Sequence, residues 1–259
     1  MRLVLLGDPV DHSFSPILHT AALAAAGVPG TYVALAVDEH GLERAFSDLR
    51  FGALDGANVT MPHKRKAAGL CDQLDPLAGR ARAVNTLVRV GNAVVGHNTD
   101  VAGIVSVWKT KRLPLDRPVH VLGNGGAAAA ALLALEDRDV ILSSRRPGAA
   151  GRLASLVGVA ATEVPWGTGV ADAVVVNATP LGMAKESLPQ PMYDGASGLL
   201  DMAYGSEATP TVVALRAAGR PVADGTELLI AQAAQAFRLW TGRRADEQVM
   251  SDALRAATT

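Results

Sequence analysis

The feature that most constrains this fold is a glycine-rich turn between a short strand and an alanine-rich helix. Residues 119–122 predict a buried strand, and residues 127–135, all alanine or leucine, predict a helix. Between them runs Gly123-Asn124-Gly125-Gly126-Ala127-Ala128, a Gly-x-Gly-x-x-Ala pattern. Glycines in such a turn let the backbone approach a pyrophosphate, which N–H groups of the helix then bind. We therefore expect a dinucleotide site, with a tight turn lacking a ligand as the alternative.

The segments around this turn predict a Rossmann-type parallel sheet. Further strands are expected at 140–143, 173–177, 199–202 and around Val222, with helices at 152–157 and 210–218 between them. This alternation of strands and helices is typical of βαβ units, whose strands run parallel. We assign residues 102–225 to a dinucleotide-binding domain.

The first hundred residues predict a separate α/β domain. Strands are expected at 3–6, 31–37 and 57–60. Helices are expected from Ser15-Pro16, at 41–49 and from Pro62. Gly91-Asn92 lies between two apolar runs and predicts a hairpin. We assign residues 1–101 to a substrate domain that is completed by C-terminal helices within 226–259.

Cofactor choice is predicted from the residues that follow the second strand of the parallel sheet. An acidic residue there would accept a hydrogen bond from the ribose 2′-OH of NAD. This chain has Ser143-Ser144-Arg145-Arg146 instead, and two guanidinium groups suit a doubly charged 2′-phosphate. The sequence predicts NADP, with two ordinary surface arginines as the alternative.

Two further loops are predicted to contact ligands. Residues 177–183, Asn-Ala-Thr-Pro-Leu-Gly-Met, follow a strand of the parallel sheet, where open α/β sheets bind ligands. We expect this loop to lie against the nicotinamide, with a plain turn as the alternative. Ser13 and Ser15 lie beside a predicted helix N-terminus and suit a carboxylate or another small anion, although Ser15 could simply cap that helix.

Lys64 is the candidate for proton transfer. Only five lysines stand beside nineteen arginines in this chain, and lysine, unlike arginine, gives up its proton when its surroundings disfavour the charge. If Pro62 is the first helical residue, Lys64 lies in the first turn, where the helix dipole disfavours a positive charge. The alternative is a solvated basic run on a surface helix.

Composition excludes several other classes of protein. The formal net charge of −1 gives no reason to expect nucleic acid or an anionic membrane as partner. Cys71 is the only cysteine, which excludes an internal disulfide and fits a cytoplasmic protein. The six histidines show no metal-ligand spacing, so no metal is expected. A monomer and a homodimer both remain open.

Taken in order, these motifs resemble the shikimate dehydrogenase family over nearly the whole chain. The motifs that carry the resemblance are residues 13–16, 58–64, 83–86 and 98–100, the glycine turn, and residues 177–183 and 225–232. The resemblance implies NADPH-dependent, reversible reduction of 3-dehydroshikimate to shikimate in aromatic amino-acid biosynthesis. It also implies an active site in a cleft between the two domains.

The resemblance implies a role for each matching residue. The catalytic pair would be Lys64 and Asp100, although Asp100 could instead cap a helix starting at Val101. The substrate would contact Ser13, Ser15, Thr60, Asn85, Asp100, Tyr204 and Gln232. The cofactor would contact Gly123, Asn124, Gly125, Gly126, Ala127, Ser144, Arg145, Arg146, Asn177, Thr179, Met202 and Gly225.

Several positions depart from the usual pattern of the family without removing a catalytic group. They are Thr20, Arg82, Asn124, Ser144, Arg146, Gly205-Ser206 and Leu228. Three other functions remain open: a quinate or aminoshikimate dehydrogenase on the same scaffold, an NADP enzyme acting on folate carbons, and a protein that binds the metabolite without converting it. The serine pair favours shikimate, and the presence of both Lys64 and Asp100 favours an enzyme.

Overall fold

The computed structural model describes residues 1–258, and the chain divides into two compact units. Unit 1 comprises Met1–Thr99 together with the C-terminal segment from Leu229, and unit 2 comprises Asp100–Leu228. Each unit contains one six-stranded sheet. The predicted α/β class is therefore confirmed.

The sheet of unit 1 is mixed, with the strand order β2-β1-β3-β5-β6-β4. Strand β1 pairs in parallel with β2 and β3, whereas β3 with β5 and β5 with β6 are antiparallel. The predicted hairpin is the β5–β6 pair, with Gly91 at a φ of 62° between them. The six strands are β1 (Arg2–Gly7), β2 (Thr31–Ala36), β3 (Gly56–Val59), β4 (Gln73–Leu74), β5 (Thr86–Val90) and β6 (Ala93–His97).

Helices pack apolar side chains onto this sheet. The helix of residues 39–50 begins after Asp38, whose side chain accepts a hydrogen bond from Gly41 N–H at 2.7 Å. Its buried residues Leu42, Phe46 and Leu49 join a core with Leu6 and other strand residues. The helices of unit 1 are α1 (Ser15–Ala25), α2 (Glu39–Arg50), α3 (Lys64–Leu70) and α4 (Pro76–Ala81), with α10 (Glu247–Thr258) at the C-terminal end.

One predicted helix cap and one predicted helix start in unit 1 are wrong. Helix α1 begins at Ser15, so Ser15 is its first residue and not its cap. Helix α3 begins at Lys64, and Pro62 lies in the preceding turn after a cis peptide bond. Lys64 is nevertheless in the first helical turn. Strand β4 and helix α4 were not predicted, because they are too short to show a periodic pattern.

The sheet of unit 2 is fully parallel, with the order β12-β11-β10-β7-β8-β9. Read from the opposite edge, with the strands renumbered within the unit, this is the 3-2-1-4-5-6 order of a Rossmann fold. This confirms the predicted Rossmann-type sheet. The strands are β7 (Val119–Leu122), β8 (Val140–Ser143), β9 (Thr162–Glu163), β10 (Val174–Asn177), β11 (Gly198–Asp201) and β12 (Val222–Ala223).

Helices and a short 3-10 turn at Gln190–Met192 connect these strands. Helix α8 begins after Thr209, whose hydroxyl accepts from Val212 N–H at 3.3 Å. The remaining helices are α5 (Thr99–Thr110), α6 (Gly126–Ala134), α7 (Ala149–Val157), α8 (Pro210–Ala217) and α9 (Gly225–Thr241). The unit boundaries fall inside α5 and α9.

Arg82 ends α4 in the left-handed conformation, with φ 48° and ψ 36°. A side chain with a β carbon is strained there, whereas glycine is not. We expect Arg82→Gly to be more stable than Arg82→Ala by about 0.5–1 kcal/mol, because relief of strain outweighs the greater freedom of glycine in the unfolded chain. Urea unfolding of both variants measures this difference, since both lack the guanidinium. Equal free energies of unfolding for the two variants would contradict backbone strain at residue 82.

Candidate active site

The glycine turn of unit 2 lies at the switch point of the parallel sheet, between the ends of β7 and β10. Gly123 has a φ of 126°, and a β carbon there would lie 2.7 Å from the carbonyl oxygen of Ala178. Gly125 precedes α6, and a β carbon on it would meet no described atom within 4 Å. Helix α6 has no acidic residue in its first turn and no described side chain capping it. This turn therefore has the open backbone and helix N-terminus that fit a pyrophosphate.

The residues after β8 present two arginines at the same edge of the sheet. Ser144 is buried, and its hydroxyl donates to the carbonyl oxygen of Arg146 at 2.8 Å, which shapes the turn. Arg145 and Arg146 are exposed. A turn held by its own serine, with two exposed guanidinium groups, fits a 2′-phosphate.

Asn177 organises the loop that follows β10. Its Oδ1 accepts from the N–H and the hydroxyl of Thr179, at 3.1 and 2.6 Å. Its Nδ2 donates to the carbonyl oxygen of Leu181 at 2.9 Å, and its own carbonyl oxygen accepts from Met202 N–H at 2.9 Å. Because Asn177 is fully buried, these bonds hold the loop in one shape.

The start of α9 lies against the segment that follows β11. A β carbon on Gly225 would lie 2.3 Å from the carbonyl oxygen of Ala203 and 2.9 Å from Cβ of Tyr204. Only glycine fits there without movement of this segment. The structure thus brings Gly225, Tyr204 and Met202 into one neighbourhood at the end of β11.

In unit 1, the loops that follow β1 and β3 meet. A β carbon on Gly7 would lie 2.3 Å from Cγ2 of Thr60, and Asp8 N–H donates to the carbonyl oxygen of Met61 at 3.0 Å. Farther along the first loop, Ser13 Oγ accepts from Ser15 N–H at 3.2 Å. These contacts hold Thr60 at the end of β3 against the loop after β1, and they hold Ser13 against the start of α1.

Asn85 carries a buried carboxamide that links three parts of unit 1. Its Oδ1 accepts from the backbone N–H of Thr99 at 2.8 Å and from the hydroxyls of Thr99 and Thr86, at 3.2 and 3.1 Å. Its Nδ2 donates to Oε1 of Gln232 on α9 at 3.2 Å. Asn58 on β3 donates to the carbonyl oxygen of Asn85 at 3.0 Å. The predicted substrate residues Asn85 and Gln232 are therefore oriented by each other.

The two predicted catalytic residues belong to different units. Lys64 is half-buried, and its carbonyl oxygen accepts from Val84 N–H at 3.0 Å, next to the strand that starts after Asn85. Asp100 is 3% exposed and follows Thr99 directly in the sequence. Helix α5 begins at Thr99, so Asp100 lies in its first turn and is not its cap. The pairing of Lys64 with Asp100 stays a prediction.

An aromatic group that was not predicted from the sequence packs behind Asn58. His19 stacks on Tyr32 with ring centroids 4.4 Å apart and lies 5.1 Å from the ring of Trp240. The hydroxyl of Tyr32 donates to Asn58 Oδ1 at 2.7 Å. Burial lowers the pKa of His19 to about 3, and a hydrogen bond with Asn58 opposes this shift. The only feature of the sequence that could have drawn attention to His19 is its position four residues after Ser15, on the same helix.

The fold and these turns define a two-domain protein of the dinucleotide-binding class. Unit 2 is a Rossmann-type domain whose strand ends fit a dinucleotide with a 2′-phosphate, and unit 1 carries a fixed set of hydroxyl and amide groups. No group of three or more His, Cys, Asp or Glu residues suited to a metal ion occurs within residues 1–258. In the same part of the chain, every helix is too short or too polar to span a membrane.

Comparison with known proteins identifies the family. Residues 5–87 match the shikimate dehydrogenase substrate binding domain, and residues 225–255 match the shikimate 5′-dehydrogenase C-terminal domain. The chain is 39% identical over 266 residues to the shikimate dehydrogenase (NADP(+)) of Anaeromyxobacter sp. strain Fw109-5, covering 97% of this chain and 95% of that protein. The chain belongs to the shikimate dehydrogenase family.

Solved structures agree with this assignment. Shikimate 5-dehydrogenase from Thermus thermophilus, in complex with NADP(H) and shikimate, superposes with a TM-score of 0.90 at 34% identity, covering 99% of each chain. The 5-ketofructose reductase of a Gluconobacter species superposes with a TM-score of 0.89 at only 23% identity. The fold is thus shared by proteins named for different substrates, and the site residues must decide between them.

The buried imidazole of His19 gives a testable pH dependence. The unfolded chain binds a proton at His19 near its ordinary pKa of 6.5, and the folded chain binds it only near pH 3. Between these two pH values the unfolded state binds more protons at His19 than the folded state does. The contribution of His19 to the free energy of unfolding therefore falls as the pH falls below about 6.5, by about 1.4 kcal/mol per pH unit.

We expect the difference in unfolding free energy between wild type and His19→Phe to decrease by about that amount per unit from pH 6 to pH 5. Phenylalanine keeps a ring between Tyr32 and Trp240 but does not titrate. Urea unfolding at several pH values gives the difference, and only its slope is read. A difference that does not change with pH would contradict a neutral buried His19.

Proposed function

We propose that this protein is an NADP-dependent shikimate dehydrogenase that reversibly reduces 3-dehydroshikimate to shikimate in aromatic amino-acid biosynthesis. The observation that carries the proposal is the near full-length similarity to a Thermus protein whose structure holds NADP(H) and shikimate. The glycine turn and the exposed Arg145 and Arg146 support NADP. The fixed polar groups around Asn85 support a polyhydroxylated substrate.

Ring hydroxyls of the substrate require donors and acceptors that do not move. We propose that Thr60, Asn85, Asp100 and Gln232 hold these hydroxyls. Asn85 and Gln232 already share a hydrogen bond, so their amides are oriented before the substrate binds. A site of this kind rejects an analogue lacking one hydroxyl by ~10⁴-fold or more, because its own polar groups would be left unpaired.

The carboxylate of the substrate needs hydroxyl donors near a helix N-terminus. We propose that Ser13 and Ser15 bind it and that Tyr204 reaches toward the same end of the substrate. Ser13 already accepts from the backbone N–H of Ser15, so its hydroxyl hydrogen remains available for an oxygen of the ligand. This serine pair favours shikimate over quinate.

The proton is the part of the reaction that the chain itself supplies. When bound, NADPH provides the hydride for the ring ketone. We propose that Lys64 donates a proton to the alkoxide oxygen and takes it back in the reverse direction. Asp100 would orient the lysine and the neighbouring hydroxyl. General acid–base help of this kind is typically worth ~10²–10⁴ in rate.

The remaining site residues of unit 2 form three groups, each of which would contact a different part of the cofactor. We propose that Gly123, Asn124, Gly125, Gly126 and Ala127 bind the pyrophosphate. Ser144, Arg145 and Arg146 would bind the 2′-phosphate. The nicotinamide half would lie against Asn177, Thr179, Met202 and Gly225.

We further propose that residues 1–101 with 226–259 form the substrate domain and that residues 102–225 form the NADP domain. The protein would act in the cytoplasm as a monomer or homodimer, without nucleic acid or membrane as partner. With a single cysteine the chain has no internal disulfide, which fits a reducing compartment. Burial raises the pKa of the Cys71 thiol to about 12, so this thiol is not a candidate nucleophile.

The proposed function is tested by following reduction of the cofactor with purified protein. We expect shikimate with NADP⁺ to give turnover, and NAD⁺ to react at least ~10-fold less efficiently because it lacks the 2′-phosphate that pairs with the arginines. Quinate and aminoshikimate serve as comparison substrates. Faster turnover of quinate than of shikimate would make quinate the substrate. Binding of shikimate without turnover would contradict the proposal that the protein is an enzyme.

A further inference from the structure

Asp201 is the last residue of β11 and is completely buried. Its Oδ1 accepts from Asn177 Nδ2 at 2.8 Å and from Ala203 N–H at 3.0 Å, and its Oδ2 accepts from the hydroxyl of Thr209 at 2.6 Å. All three donors are neutral. Burial raises the pKa of Asp201 to about 6, and these three hydrogen bonds oppose that shift. A carboxyl placed so deeply is costly, which suggests a purpose beyond folding.

The donors of Asp201 hold both ends of the loop at residues 177–183. Asn177 fixes the first half of the loop through Thr179 and Leu181. Thr209 packs at the other end, because a β carbon on Gly182 would lie 2.7 Å from its Cγ2. The two ends of the loop are therefore tied to one carboxyl.

The third donor fixes the segment that follows β11. Ala203 gives its N–H to Asp201, and its carbonyl oxygen lies against Gly225, where a β carbon would approach to 2.3 Å. Met202, immediately before it, donates its N–H to the carbonyl oxygen of Asn177. Residues 177–183 and 202–204 therefore have their relative position set by the same buried group.

We propose that Asp201 is a positioning residue for the nicotinamide half of the cofactor, because it holds these two segments in a single arrangement. This role rests on the NADP-dependent function proposed above. The residues proposed to bind the 2′-phosphate follow β8, which β7 and β10 separate from β11 in the sheet order. The effect of Asp201 should therefore be confined to one half of the ligand.

The test compares two ligands that differ in the nicotinamide half. NADP⁺ contains both halves, whereas adenosine 2′,5′-bisphosphate has the 2′-phosphate but no nicotinamide. Asp201→Asn keeps the shape and Oδ1 but replaces Oδ2 with a group that cannot accept from Thr209. We expect the Kd for NADP⁺, measured by calorimetry, to rise about tenfold and that for the bisphosphate to change less than about twofold.

A second pair of variants covers the case in which Asp201→Asn does not fold. Thr209→Val removes the hydroxyl that donates to Asp201 and caps α8, and Thr209→Ser retains both contacts. We expect the valine variant to show the selective loss of NADP⁺ affinity and the serine variant to restore it. Val157→Ala is the matched control, since it removes buried packing from α7 away from both segments. It should leave both Kd values unchanged.

A loss of affinity that is equal for both ligands would mean general damage to unit 2 and would overturn the role of Asp201. Unchanged affinity for NADP⁺ in Asp201→Asn and Thr209→Val would overturn it as well. Failure of the proposed function looks different, because wild type itself would then show no binding of NADP⁺ and no turnover of shikimate.

Discussion

The parallel sheet of unit 2 places the polar side chains that shape the loops after β10 and β11 at the ends of those buried strands, and the rest of the site depends on this placement. Strands β10 and β11 are buried along their whole length, and their polar side chains, Asn177 and Asp201, come at the carboxyl ends. Strand β8 likewise ends at Ser143, just before the two arginines. Because parallel strands end at one edge, polar groups distant in the sequence become neighbours there.

Each unit then uses one buried polar group to fix the residues around it. In unit 1 the carboxamide of Asn85 joins Thr99 to Gln232, and in unit 2 the carboxyl of Asp201 joins Asn177 to Thr209. Buried groups of this kind are costly if any partner is lost, so they specify one arrangement. A dehydrogenase benefits because substrate and cofactor must be held without rearrangement during the reaction.

The sequence predicted those features that depend on local rules. The glycine turn, the hairpin at Gly91 and the longer strands and helices follow from glycine conformation and apolar periodicity, and the structure confirms them, whereas the short elements β4, α4 and β9 were not predicted. Local rules failed at Ser15 and Pro62, where the chain turns before the helix begins. Before α3, Thr60 N–H donates to the carbonyl oxygen of Leu6 on β1 and His63 N–H donates to the carbonyl oxygen of Thr60, so this turn precedes the first helical residue.

Contacts between distant residues could not be read from the sequence. Asp201 appeared only as a polar residue in a strand, because its three donors come from other segments of unit 2. His19 was passed over for the same reason, since its burial depends on Tyr32 and Trp240. Residue chemistry pointed to Lys64, the serine pair, the glycine turn and the two arginines, and resemblance to the family supplied the other roles. All of these roles stay predictions.

The central claim is that the amine of Lys64 carries the proton, and it is tested most directly by the turnover of Lys64→Met with shikimate and NADP⁺. Methionine keeps much of the side-chain length without the amine. Lys66→Met is the matched control, because Lys66 pairs with Glu39 and Glu43 and has no proposed role. The account predicts that kcat falls by ~10²–10⁴ in Lys64→Met, with little change in KM, and stays near wild type in the control. A kcat near wild type in Lys64→Met would contradict it.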